Sequence, residues 1–128
     1  MNQQTVRNAH FIFKLLAWIF AISILIQVLL AGLALFGDAI PWSSHASFAR
    51  YFSILPVLML AASFIAKSPA SLRIQIIALI GMIVLMFVTA IFSSKIGFLS
   101  ALHPVIAVFL FFRTMAIIRQ SGVLIQAK

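Results

Sequence analysis

The sequence predicts an all-α integral membrane protein, an up-down bundle of four transmembrane helices, and three observations support this prediction. Of the 128 residues, 65% are hydrophobic and only 8% are charged, whereas soluble domains carry about 25% charged residues. The apolar residues form continuous runs of roughly twenty residues, long enough to cross a bilayer as helices. Polar residues, glycine and proline separate these runs. The length suits one domain covering residues 1–128.

The first predicted helix covers about residues 11–36 and follows a polar amino-terminal segment. Gly37 can end this helix, and Pro41 breaks regular structure before the second helix, which we predict at about 45–66. Pro56 lies in the middle of the second helix. A kink is expected there because proline lacks the backbone donor that a helix uses.

The third and fourth predicted helices each follow a short polar turn. A basic turn at 67–73 leads into the third helix, at about 74–92, and Ser93 begins the turn before the fourth helix, at about 98–118. Membrane-spanning strands would instead alternate apolar and polar residues in segments of about ten. Helices satisfy their backbone hydrogen bonds within each segment, as a lipid environment requires.

The distribution of basic residues predicts an orientation. A net charge of +8 arises from nine lysine or arginine residues against a single acid. If both termini are cytoplasmic, seven basic residues lie on that side and two on the other, in agreement with the positive-inside rule. We therefore expect a multi-pass protein of the inner (plasma) membrane with both ends in the cytoplasm. The seven are Arg7, Lys14, Lys67, Arg73, Arg113, Arg119 and Lys128, and the two are Arg50 and Lys95.

Composition also argues against several classes of function. The basic residues lie singly at the ends of apolar runs, which suits topology signals and anionic lipid headgroups rather than a nucleic-acid surface. The chain has no cysteine, so disulfides, thiolate metal sites and covalently attached haem are excluded. With Asp38 as the single acid, the chain has no carboxylate pair. It also shows no nucleophile–base pair, so an enzyme is not indicated.

His45 and His103 are the residues that suggest chemistry. Each lies at the start of a predicted helix that runs inwards from the outer side of the membrane. Helices two and four of an up-down bundle are parallel and diagonal, so both imidazoles would lie at matching depth across the core. Two such histidines can be the axial ligands of a haem b iron, and bundle cores hold such cofactors. His10 would lie on the opposite side of the membrane.

Other polar residues fit this hypothesis but do not require it. Arg50, about one turn deeper than His45, could meet a haem propionate, a lipid phosphate or Asp38. Gln27, the most deeply placed amide, could form a polar contact between helices or with a quinone or substrate. Thr89 can bond to its own helix. The histidines could also bind a metal without haem, or be purely structural residues at the membrane interface.

Several short segments carry a resemblance. These are Ala31-Gly32-Leu33 with Phe36 following, His45 at the start of the second helix, and Leu102-His103-Pro104-Val105 at the start of the fourth. In these segments the chain resembles a family of small uncharacterised bacterial membrane proteins with four helices. The resemblance implies the same fold and a bacterial inner membrane, but no activity. Ala49 and Arg50 stand where a glycine would be expected.

The sequence therefore favours a small b-type haem-binding protein that transfers electrons. One alternative is a non-enzymatic accessory or structural subunit of a larger membrane complex, and another is a component of an oligomeric transporter. The expected partners are the lipid bilayer and a membrane protein or further copies of the chain. Neither a substrate nor a redox partner follows from the sequence.

Overall fold

The computed structural model describes residues 2–37 and 39–126, with side chains up to residue 122. The described chain is helical and contains no strand. In order, the elements are α1 (Gln3–Phe36), α2 (Trp42–Phe52), α3 (Leu55–Ile65), α4 (Ala70–Ile91), the short α5 (Ser93–Ile96), a 3-10 segment (Gly97–Ala101) and α6 (Leu102–Gln126).

Among the described residues, four helical stretches are long and apolar enough to cross a membrane, which supports the prediction of a membrane protein built from a helical bundle. They are Gln3–Phe36, Trp42–Ile65, Ala70–Ile91 and Ser93–Gly122. The second stretch combines α2 and α3, and the fourth combines α5, the 3-10 segment and α6. We call these stretches spans one to four.

The first helix begins earlier than the sequence predicts. We expected it to start at about residue 11, but α1 begins at Gln3. The side chain of Asn2 accepts a hydrogen bond from the backbone N–H of Gln4, at 3.2 Å. This cap satisfies one of the free donors at the helix start, so the polar segment continues the helix instead of forming a separate tail.

The second span is interrupted near Pro56, as expected. Helix α2 ends at Phe52 and α3 begins at Leu55, so Pro56 is the second residue of the new helix. That position needs no intrahelical donor, which is why proline is accepted there. The backbone N–H groups of Val57 and Leu58 both donate to the carbonyl oxygen of Ile54, at 3.1 Å. The break lets α2 and α3 pack independently.

Packing arranges the spans in a ring. Helix α1 packs against α2, α3 and α6, and α4 packs against α3 and α6. The second and fourth spans therefore lie across the bundle from each other. Buried apolar side chains fill the centre, among them Phe13, Phe20, Met59, Ile76, Leu79 and Ile117.

Helix α2 is packed more loosely than α1, α3, α4 and α6, each of which contains fully buried residues. Its main neighbour is α1, and it contains no fully buried residue. Helix α3, by contrast, packs against both α1 and α4. The end of the bundle that contains α2 therefore has unfilled space beside α4, and this is where the two histidines lie.

Candidate functional site

The structure places His45 and His103 side by side. His45 lies in the first turn of α2, and His103 is the second residue of α6. Their ring centroids are 6.4 Å apart, and the ring planes meet at 53°. Both side chains are partly buried. Two residues that are 58 positions apart in the sequence thus face each other at one end of the bundle.

Hydrogen bonding determines the tautomer of His45. Its Nδ1 atom lies 3.1 Å from the backbone carbonyl oxygen of Gln27. A carbonyl oxygen can only accept, so Nδ1 carries the proton and donates it. The neutral ring therefore keeps its lone pair on Nε2. In return, the side-chain Nε2 of Gln27 donates to the backbone oxygen of His45, at 2.9 Å.

His103 is held in the same tautomer by a different set of acceptors. Its Nδ1 lies 3.1 Å from the backbone oxygen of Met86 and 3.1 Å from the Oγ1 of Thr89. The hydroxyl of Thr89 donates its own proton to the oxygen of Met86, at 2.9 Å. Both atoms therefore accept from Nδ1–H, which leaves the lone pair of His103 on Nε2.

Two cavities flank the histidine pair. One has a volume of about 410 Å³ and lies between α2 and α4. The other has a volume of about 490 Å³ and lies between α1 and α6. A group inserted between the rings would therefore find space on both sides. Six residues line both cavities: Gln27, His45, Phe52, Met86, His103 and Leu110.

An alanine follows each histidine after one helical turn. Ala49 lines the cavity between α2 and α4, and Ala107 lines the cavity between α1 and α6. Residues four apart lie on the same helix face, so each imidazole has a small side chain directly beneath it. This repeated His-x-x-x-Ala spacing is visible in the sequence.

Gln27 forms the polar contact between helices that its position predicts. Its side chain is 8% exposed and joins α1 to α2 through the backbone of His45. The side-chain oxygen Oε1 is buried and has no hydrogen-bond partner among the described residues. Gln27 thus presents an acceptor next to the histidine pair as well as a link between two helices.

Arg50 borders the cavity between α2 and α4. Its side chain is exposed, and its Nη2 donates to the hydroxyl of Ser47 at 3.1 Å. Asp38, an alternative partner of Arg50 expected from the sequence, lies outside the described residues. The predicted pairing of Arg50 with Asp38 therefore also falls outside them. The guanidinium is therefore the positive group at the edge of this cavity.

The ligand set distinguishes between kinds of metal site. Within the described residues, no group of three or more histidine, cysteine, aspartate or glutamate side chains could hold a metal ion. A structural zinc site takes four protein ligands, and a catalytic one takes three. A haem iron needs the protein only at its axial positions. Two histidines could therefore supply the protein ligands of a haem iron, but they are fewer than the protein ligands that a zinc site takes.

Thr89 and the backbone of Met86 are the site residues that sequence reasoning missed. Thr89 bonds to its own helix, as the sequence predicts, and it also contacts His103. The backbone carbonyl oxygen of Met86 accepts a hydrogen bond from Nδ1 of His103, a contact that the residue type does not indicate. The expected depth in the membrane was a usable signal. Thr89 is a polar residue near the end of the third span, and His103 lies at the adjoining start of the fourth span.

Residues 27–94 match the family model of a family of unknown function, DUF6220. This match covers just over half of the 128 residues. The chain belongs to the DUF6220 family. The DUF6220 match includes Gln27, His45 and Thr89 and ends before His103. No curated protein and no solved structure matches the chain.

Proposed function

We propose that this DUF6220 protein is a small b-type haem-binding membrane protein with a role in electron transfer. His45 and His103 would be the axial ligands of the haem iron, near the outer face of the membrane. The observation that carries this proposal is the juxtaposition of two imidazoles, from spans that lie across the bundle, with centroids 6.4 Å apart.

The distance between the rings supports coordination of a single metal atom between them. A metal–imidazole bond is about 2.0–2.1 Å long, and the ring centroid lies roughly 1.1 Å behind the nitrogen. Two imidazoles on opposite sides of one metal thus have centroids about 6.3 Å apart. The observed separation of 6.4 Å is very close to this value.

The hydrogen bonds also suit coordination. Histidines that bind metals usually donate their other ring N–H to a carbonyl or carboxylate, which fixes the tautomer and raises the basicity of the ligand. His45 and His103 both donate from Nδ1 to backbone oxygen atoms. Within residues 2–37 and 39–126, neither Nε2 atom has a hydrogen-bond partner. A metal could accept the lone pairs of both Nε2 atoms.

The two cavities supply the space for a planar group. Their volumes, about 410 and 490 Å³, lie within the range of about 300–1,000 Å³ that is typical of ligand sites. Apolar side chains such as Phe52 and Leu110 would exclude water from the plane between the rings. A haem bound there would supply one-electron chemistry. The chain itself would hold the iron, shield it from water and set its electrostatic environment.

We further propose the orientation predicted from the charges, with the connection between α3 and α4 in the cytoplasm and the histidines at the outer side. The chain has no cysteine, so each introduced cysteine is the single thiol. Cysteines at the exposed positions Ser43 and Ser94 should react with a membrane-impermeant maleimide in intact cells. A cysteine at the exposed Ser71 should react only after permeabilisation. Labelling of positions 43 and 94 from opposite sides would contradict the proposed site.

Arg50 is the residue proposed to meet a haem propionate. If it does, Arg50→Gln should lower the reduction potential of the haem by an amount on the order of tens of millivolts, because a nearby cation favours the reduced state and solvent screens part of its effect. Redox titration of the purified protein checks this. Lys95→Gln is the matched control, since Lys95 lies at the same end of the bundle but lines neither cavity. Equal potentials for wild type and Arg50→Gln would remove Arg50 from the site.

Absorption spectroscopy combined with metal analysis tests the proposed function. Protein purified in detergent after expression with adequate haem supply should show a Soret band and, after reduction, the α and β bands of low-spin haem b. Iron should be bound at about one atom per chain. A colourless protein without iron would refute the proposal. Copper in place of iron would point to a bare metal site, to which the thioether of Met86 could contribute.

A further inference from the structure

We propose that Thr89 is a positioning residue for His103. In this role its hydroxyl group, itself oriented by the Met86 carbonyl, holds the ring of His103 with Nε2 directed away from α4 and towards the gap beside His45. The effect on haem rests on the proposed function. The effect on the tautomer of His103 does not, because it follows from the hydrogen bonds of the protein alone.

The direction of each hydrogen bond follows from the number of protons available. A threonine hydroxyl has one proton, and Thr89 donates it to the oxygen of Met86 at 2.9 Å. The carbonyl oxygen of Met86 can only accept, so its contact of 3.1 Å with Nδ1 of His103 requires a proton on Nδ1. Oγ1 of Thr89, also 3.1 Å from Nδ1, then accepts from the same N–H group. Thr89 is 4% exposed, so water does not readily replace it. Burial thus makes this hydroxyl a fixed acceptor.

The two histidines differ in how they are held. The acceptor for His45 is the backbone oxygen of Gln27, which no side-chain substitution removes. His103 shares its proton between a backbone oxygen and a side-chain hydroxyl. Outer-shell partners of this kind orient the ligand and increase its basicity. A substitution at Thr89 can therefore alter the orientation and basicity of His103 while His103 itself stays unchanged.

Thr89→Val is the informative substitution, since it removes the hydroxyl and keeps a similar shape. We expect haem to bind about 10- to 100-fold more weakly, the usual effect of losing an outer-shell partner. We also expect the reduction potential to rise, because a less basic imidazole stabilises ferric iron less. Thr89→Ser should restore both properties. Thr114→Val is the control: Thr114 is fully buried and bonds its own helix at Leu110, whereas the side-chain hydrogen bonds of His45 and His103 go to other residues.

Nitrogen-15 NMR of histidine-labelled protein without haem provides a second readout. The Nδ1 atom of His103 should be protonated in the wild type at neutral pH, and Thr89→Val should shift its resonance while Thr114→Val should not. An unprotonated Nδ1 in the wild type would overturn the inference. So would a Thr89→Val protein with the haem affinity and potential of the wild type. If the wild type binds no haem, the proposed function fails, and the NMR result alone decides the role of Thr89.

Discussion

Replacing His103 with alanine is expected to abolish the proposed haem binding and leave the helical fold in place. The imidazole of His103 is one of the two protein groups that would bind the iron. The neighbouring residues only orient this ring. Loss of an outer-shell partner weakens metal sites by about 10- to 100-fold, and loss of the ligand itself should exceed that range. Haem titration followed at the Soret band measures the effect, and His45→Ala should behave in the same way.

His10→Ala is the control for both histidine variants. His10 lies near the start of α1, far along the helix from Gln27, which contacts His45. Haem affinity should be unchanged in this variant. Added imidazole should partly restore the spectrum of His103→Ala, because it can enter the space that the missing ring leaves. Full haem binding by either His45→Ala or His103→Ala would show that the pair does not hold the iron.

A phenylalanine at position 49 should weaken haem binding without altering either proposed ligand. Ala49 lies one turn after His45 and lines the cavity between α2 and α4, so a larger side chain would occupy the space that haem needs. Overfilling a packed site costs about 1–3 kcal/mol, equivalent to a loss of affinity of about 5- to 150-fold. Ala107→Phe tests the other cavity in the same way.

The haem-free protein should tolerate Ala49→Phe, because the new ring enters existing space. Thermal unfolding followed by circular dichroism would show this as an unchanged or higher midpoint. Ala61→Phe serves as the control, since Ala61 is exposed on α3 and lines neither cavity. If Ala49→Phe and Ala107→Phe both bind haem as tightly as Ala61→Phe, the two cavities are not where haem lies.

The fold was predictable because lipid imposes a simple rule: a chain that crosses it must satisfy its backbone hydrogen bonds internally, and continuous apolar runs of about twenty residues do so as helices. The four apolar runs and the break at Pro56 follow from this rule and from the chemistry of proline. The early start of α1 did not follow, because it depends on the side chain of Asn2 capping the helix. Apolar runs indicate where a helix enters lipid, and they say little about where it begins in water.

The meeting of His45 and His103 was predicted from topology, since both begin spans that lie across the bundle. Their partners were not predictable in the same way. Which carbonyl or hydroxyl a ring meets depends on the rotation of each helix about its axis, and apolar runs without a strong polar face leave that rotation open. Gln27 was expected to make a polar contact, but the backbone of His45 as its partner emerged only from the packing.

The central claim is that one haem iron lies between His45 and His103, and electron paramagnetic resonance of the oxidised, purified protein tests it most directly. The proposal predicts a low-spin ferric signal of the type given by two imidazole ligands, at about one haem per chain, and its loss in His103→Ala. A high-spin signal, or the absence of any ferric haem in protein prepared with adequate haem supply, would contradict it.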